Sequence, residues 1–288
     1  MKNDRIAVVT PVYNGAHTIE RSIRSLLNQT FSSWVSVIVN DGSTDETAKI
    51  LEKYQDDERF YIINLASNVG RGAARKIALE KVKEINAKYI CMLDADDLYY
   101  PDKLKWQYDY MELHQDIALL SCSIGYIDDK NNLLGVLETF DKEHILTFDH
   151  YTDYKAVPHA CSIIRLSEIG NITFDEKLLL GQDQDFMIRM LKKKKYAFIP
   201  KIGYLYNRTD SFSFKKYKKS LELAFYAKKK LGLGMLDLLR IYIINQVKVM
   251  YVGILCLVGK EKIYLDKIGR PPHQNELQEH ENKLILNL

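Results

Sequence analysis

The sequence predicts an α/β fold: a mostly parallel, doubly wound sheet with helices on both faces. Three observations predict it. Short apolar, β-branched runs alternate with helix-periodic segments over the first hundred residues. Each of the first four runs stops at a polar loop bearing Gly or Asp, as strands do where their carboxyl ends meet a ligand crevice. The 288 residues are 47% hydrophobic and 27% charged, a globular balance able to bury a substantial core.

Ile6–Thr10 reads as a buried parallel strand that halts at Pro11. From about Ala16 to Asn28, Ile19, Ile23, Leu26 and Leu27 recur at helical spacing. Val35–Val39 is the second strand; it ends at Asn40-Asp41-Gly42-Ser43, and a helix follows through Ala48, Ile50 and Leu51. Phe60–Asn64 is the third strand, and Gly70 to Ile85 the third helix. Tyr89–Leu93 is the fourth strand, ending at Asp94-Ala95-Asp96-Asp97, and Pro101 opens a helix to about His114.

Beyond about residue 117 the alternation gives way to shorter runs: Leu119–Ile127, Leu133–Leu137 and Ala160–Ile164. Asp128 to Asn132 reads as a hairpin turn, so mixed or antiparallel strands are expected here. A helix from about Gln184 to Lys194 and a strand at Tyr196–Ile199 follow. From about Phe214 the chain turns helical. Ser220 to Leu231 is amphipathic, and Met235 to Val258 is strongly apolar yet carries Asp237, Arg240 and Lys248. Its charge-free run, Val249–Gly259, is too short to cross a bilayer. Past Arg270-Pro271-Pro272 the polar remainder reads as a frayed tail.

The net charge of +3 conceals an asymmetry: residues 1–200 hold 25 basic and 30 acidic side chains, residues 201–288 hold 16 and 8. Such segregation points to an anionic partner for the C-terminal part, or to solvated lysines on helix faces. An anionic membrane surface fits the apolar helix beside the lysines. Nucleic acid is not expected, because the basic region lacks a reading motif. Cys91, Cys122, Cys161 and Cys256 are widely spaced in apolar stretches, as core thiols in a reducing compartment are. The first residues run straight into a strand without the apolar core of a signal peptide, so a cytoplasmic location is expected.

The densest chemical signal is Asp94-Ala95-Asp96-Asp97. Carboxylates so close repel one another unless a cation intervenes, and hard oxygen donors suit Mg²⁺ or Mn²⁺. The same residues could instead cap the helix that begins near Pro101. Thr10 to Asn14 after the first strand and Asn40 to Ser43 after the second could stack and hydrogen-bond a base, or be ordinary turns. No dinucleotide-binding or P-loop glycine pattern occurs.

Pro11-Val12-Tyr13-Asn14, Val39 to Ser43, Asn68-Val69-Gly70 with Ala74-Arg75, and Asp94-Ala95-Asp96 resemble, in order and spacing, the inverting family 2 glycosyltransferases of the GT-A fold. Gly181 to Arg189 resembles that family's Glu-Asp segment, so the resemblance spans roughly residues 5–210. It implies a metal-dependent transfer of a sugar from a nucleotide sugar, UDP-linked in preference, to a hydroxyl of a glycan or glycolipid acceptor. It implies that Pro11, Val12, Tyr13 and Asp41 hold uracil and ribose, with Asn68 and either Arg71 or Arg75 near the nucleotide. Asp94 and Ala95 would face the ribose or sugar, and Asp96 the metal. Asp183 matches the catalytic base, with Gln182 and Asp185 beside it near the acceptor; a helix N-cap role for Asp183 is compatible with that. Residues 1–213 would then form the transferase domain, with a nucleotide half (1–116) and an acceptor half (117–213), and 214–288 a basic, apolar helical extension.

Two departures stand out. Gln182 replaces the family's usual Glu, and no His occurs in Tyr206 to Ser211, where many members carry one. His159 reads as a structural histidine rather than a ligand, and Arg208 could supply positive charge instead. The rival readings are a catalytically inactive nucleotide-sugar-binding module and a sugar nucleotidyltransferase; the latter needs a Gly-rich basic phosphate loop after the first strand, which Pro11–His17 is not.

Overall fold

A computed structural model describes residues 5–150, 153–176, 178, 181–208, 214–230, 233–260 and 269–285. The described elements run β1 (Ile6–Val12), α1 (Ile19–Leu27), β2 (Trp34–Asn40), α2 (Thr47–Glu52), β3 (Phe60–Asn64), α3 (Arg71–Ile85), β4 (Tyr89–Met92), β5 (Leu98–Tyr99) and α4 (Lys103–Leu113). They continue β6 (Ile117–Ile127), β7 (Leu133–Leu137), β8 (His144–Leu146), β9 (Ile163–Arg165), α5 (Leu166–Ile169), α6 (Gln182–Leu191) and β10 (Lys195–Asn207). Helices α7 (Phe214–Lys230), α8 (Met235–Leu257) and α9 (Gln274–Ile285) close the chain.

One sheet runs β3-β2-β1-β4-β9-β6-β10-β5, with β7 on β6 and β8 on β10. Strands β1 to β4 pair in parallel, β9 is antiparallel to both β4 and β6, and β6 and β10 are parallel again. Every residue of β2, β4 and β6 is buried. Two-sided burial explains why these strands are continuously apolar rather than alternating. Alternate residues divide between two cores. Ala7, Val9, Val37 and Val39 face Ala74, Ala78 and Leu79 of α3 and Phe186 and Met190 of α6. Ile6, Val8 and Ile38 face Ile19, Ile23 and Leu26 of α1 and Leu104 and Met111 of α4. The α/β fold with helices on both faces is the one the sequence predicts. The four cysteines are free thiols, three of them buried.

Strands β5 and β8 and helix α5 are not read from the sequence, and four further elements depart from its reading. The β10 strand continues past Ile199 to Asn207, because register shifts between Ile199 and Tyr204 absorb Pro200, which has no N–H to give the ladder. Strand β9 starts only at Ile163, since Ser162 folds back, its N–H on His159 O at 3.0 Å and its hydroxyl on Pro158 O at 2.6 Å. Helix α8 is one unbroken 23-residue helix, long and apolar enough by composition to cross a membrane, whereas its charge-free run alone is not. Residues 274–285 are no frayed tail. They form α9, tied down by polar contacts: Arg270 bridges Glu138 and Glu276, Lys283 bonds Asp102, and His280 is buried.

Candidate functional site

The loops after β1, β2, β3 and β4 meet at the carboxyl edge of the parallel strands and enclose a cavity of about 570 Å³. That volume suits a small-molecule ligand. Pro11, Val12, Tyr13, Asp41, Asn68, Arg71, Asp94, Ala95 and Asp96 all line it. The loops are stitched together by short polar side chains. Asn14 and Gly15 donate their N–H groups to Ser43 Oγ and Thr47 Oγ1, both at 2.9 Å, and Thr44 N–H donates to Asn14 Oδ1 at 2.8 Å. Gly42 sits at φ +65°, and a Cβ there would lie 2.3 Å from the Ser67 carbonyl carbon, so only glycine fits.

Asp41 is buried at the floor. Its Oδ1 accepts Val69 N–H at 2.7 Å and its Oδ2 accepts Gly70 N–H at 3.0 Å. Each oxygen keeps a second lone pair for a ligand donor. Tyr13 presents its ring at the rim, about half exposed. Arg71 opens α3 on the cavity wall. Arg75, one turn further, is 5% exposed, outside the lining, and ion-paired to Asp94 Oδ1 at 3.2 Å. The two arginines are thus separated by depth.

The acidic turn after β4 is held from three sides. Ser22 Oγ donates to Asp94 O at 3.2 Å, and Arg21 Nη2 to Asp96 O at 3.3 Å. Asp97 accepts the Tyr204 hydroxyl at 2.6 Å and Asn207 N–H at 2.8 Å. Burial, and then the adjacent Asp94 carboxylate, push Asp96 above the usual carboxylate range. Burial and Asp96 push Asp97 up to about 8. This accumulation of negative charge favours a cation.

The family model for glycosyl transferase family 2 matches residues 7–167, more than half of the chain. The chain belongs to glycosyl transferase family 2. Among similar proteins, an uncharacterized glycosyltransferase of Methanocaldococcus jannaschii is 32% identical over 66% of this chain and 66% of its own length. TuaG of Bacillus subtilis, named for teichuronic acid biosynthesis, is 39% identical over 37% of this chain and 41% of its own. The matched stretches therefore span about two thirds or less of these relatives. Among solved structures, S. aureus TarS in complex with UDP superposes with a TM-score of 0.62 at 21% identity, covering 82% of this chain and 69% of that one. The mannosyltransferase PcManGT from Pyrobaculum calidifontis, with GDP-Man and Mn²⁺, gives 0.58 at 12% identity, covering 98% and 84%. These likenesses show the GT-A fold.

In this family 2 chain, Gln182, Asp183 and Asp185 lie outside the cavity lining, on the first turn of α6 after the left-handed Gly181. That turn packs against α3: a Cβ on Gly72 would lie 3.5 Å from Gln182 Cδ. Asp183 is half-buried. Asp185 is fully buried and holds Arg189 through Oδ2 at 2.6 and 2.9 Å, so it fixes the helix and presents no open face to an acceptor. His159 is buried beside Phe174 and Phe186, both ring centroids 5.9 Å away. Burial and then the Arg75 charge push it down to about 4, with Asp183 and Asp94 opposing. Arg208 lies over the Tyr126 ring at 5.5 Å, and residues 209–211 of the histidine-free segment fall outside the described residues.

Sequence reasoning missed His17, on the cavity wall, and Arg21. Both sit on or beside α1, where no motif marks them. It also missed α9. His280 Nε2 donates to Asn131 O at 2.7 Å, and its Nδ1 accepts the Tyr100 hydroxyl at 2.7 Å, because a carbonyl can only accept. Asn131 Oδ1 accepts Arg21 Nη1 at 3.1 Å, so a chain of contacts links α9 to the Asp96 carbonyl.

Proposed function

We propose that the chain transfers a sugar from a nucleotide sugar, UDP-linked in preference, to a hydroxyl of a glycan or glycolipid acceptor, with inversion. The observation that carries the reading is the single cavity that joins an exposed aromatic ring, a buried carboxylate, an arginine and the Asp94–Asp96 pair. TuaG's name and the UDP and UDP-GlcNAc complexes of TarS support a UDP-sugar and a role in surface polysaccharide or lipo-oligosaccharide assembly.

In this reading the Tyr13 ring stacks on the base, and Asp41 accepts the uracil imide N–H with the lone pairs its loop leaves open. Arg71 pairs with a phosphate oxygen. Asp96 would hold Mn²⁺ or Mg²⁺, with Asp94 toward the ribose or sugar. The donor chemistry fits: hard carboxylate oxygens at a strand end, with Asp96 raised by burial and then by the neighbouring Asp94 charge, which a cation would offset. Such a site leaves positions for diphosphate oxygens. The bound ion would neutralise charge on the departing diphosphate. Asp183 takes the acceptor proton as that oxygen bonds to the anomeric carbon and the carbon–phosphate oxygen bond breaks on the opposite face.

Calorimetric titration with UDP, GDP and UDP-sugars, with and without Mn²⁺, tests this. UDP binding should strengthen with metal, and Asp96→Ala should abolish the gain. Asp183→Asn should bind donor normally yet lose transfer, by roughly a hundredfold or more once an acceptor is supplied. If no nucleotide binds in the presence of metal, the reading is wrong.

A further inference from the structure

Helix α8 is 23 residues long, yet only 6% of its most apolar stretch is buried. That is not how a core helix of a globular protein sits. Helix α7 packs on one side of it: Phe225 meets Tyr242 at 5.9 Å, Asn245 Nδ2 bonds Leu221 O at 3.4 Å, and a Cβ on Gly253 would lie 3.2 Å from the Phe214 ring. The side turned away from α7 carries Leu239, Ile243, Val247, Met250, Ile254 and Leu257 at three- and four-residue steps, each more than half exposed.

The charge around this bare face is one-sided. Residues 214–260 hold ten basic and two acidic side chains. Lys215, Lys218, Lys219 and Lys229 are exposed and share one side of α7 by helical spacing; Arg240 is exposed at the edge of the apolar face, and Lys248 and Lys260 are exposed as well. Two copies meeting through such a surface would bring their cations together. An anionic bilayer neutralises those same cations while its acyl region takes the apolar side chains.

Length alone would let α8 cross a bilayer, but the chain that follows does not permit it. Only eleven residues, 258–268, separate α8 from Gly269, about 17 Å of rise if helical, and they include Lys260, Glu261, Lys262, Asp266 and Lys267. Arg270 is then back on the transferase domain, exchanging both backbone hydrogen bonds with Val136 at 2.8 and 2.9 Å. A crossing helix would leave α9 on the far side of about 30 Å of hydrocarbon: a helical link is too short to return, and an extended one would drag unpaired backbone groups and five charges through lipid.

We propose that α7 and α8 form an in-plane anchor: α8 lies in the interface of an anionic lipid bilayer with its bare face inward, and the lysines of α7 meet the headgroups. The catalytic domain stays on one side of the membrane, held at its surface.

The test is co-sedimentation of the full chain with phosphatidylcholine vesicles, with and without phosphatidylglycerol, over a range of salt. Binding should require the anionic lipid, weaken as salt rises and be released by alkaline carbonate. An Ile243→Glu/Ile254→Glu variant should lose roughly tenfold or more in vesicle affinity. Its thermal transition and its metal-dependent UDP binding, measured alongside, should match the parent's. Lys215→Glu/Lys218→Glu/Lys219→Glu should weaken binding and flatten its salt dependence. The proposal is overturned if the chain stays in the supernatant at every composition, or if carbonate fails to release it, which would mean a spanning helix. It is equally overturned if the isoleucine variant leaves vesicle binding intact and instead turns a dimer into a monomer in sedimentation velocity.

Discussion

At the scale of single residues, depth in the wall separates groups that look alike in the sequence. Arg71 and Arg75 are four residues apart on α3, and only burial distinguishes them. Arg75→Ala removes the partner of Asp94 from a nearly dry position and should cost about 3 kcal/mol of stability, read by urea denaturation. Arg71→Ala should leave stability within about 0.5 kcal/mol and weaken UDP binding roughly tenfold. His159 offers a pH signature. Its value of about 4 in the fold lies below the ordinary 6.5, so unfolding takes up a proton between those limits. Stability is full above about pH 6.5 and falls as pH drops toward 4, by about 3 kcal/mol at most. Denaturation of His159→Leu at pH 8 and pH 5 should show a shallower decline than the parent. The motif residues themselves were legible because loops at strand ends carry their chemistry in short contiguous runs. His17 and Arg21 were not, since one side chain on a helix has no local pattern to mark it.

At the scale of elements, what was legible is what local periodicity dictates. The β3 and β7 boundaries could be read to the residue: β3 starts after Arg59 and closes on Asn64, and β7 lies between Asn132 and Glu138. The second half of β10 could not, because Pro200 reads as a stop and only pairing with β6 and β5 carries the strand onward. Helix α9 was illegible for a different reason: its hold on the domain is polar, through Arg270, His280 and Lys283, with no apolar stripe to announce burial. That hold reaches the acidic turn through Asn131 and Arg21. His280→Ala should therefore cost about 1–3 kcal/mol in stability. It should also weaken metal-dependent UDP binding several-fold while leaving metal-free binding unchanged, as calorimetry would show. Equal loss with and without metal would reduce α9 to a purely structural brace.

At the scale of the whole molecule, one sheet carries everything, and the antiparallel β9 divides a regular βα half from an irregular one. The regular half gave the fold class its signal. The neighbours that share the fold include one bound to UDP and one to GDP-Man, so the architecture does not select the base.

The clamp on Asp97 also sets an order of events as the chain is made. Its partners, Tyr204 and Asn207, lie 107 and 110 positions downstream. At translation rates of about 5–20 residues per second, the acidic turn leaves the ribosome some 5–20 s before the strand that fixes it. The first four strands can pair in that interval, since they are near neighbours in sequence. A nascent chain of this protein therefore shapes its strand-end cavity early and acquires a rigid acidic turn only when β10 slots in beside β6. Release of the strand on the ribosome, rather than the pocket's own folding, is the moment at which the site is complete.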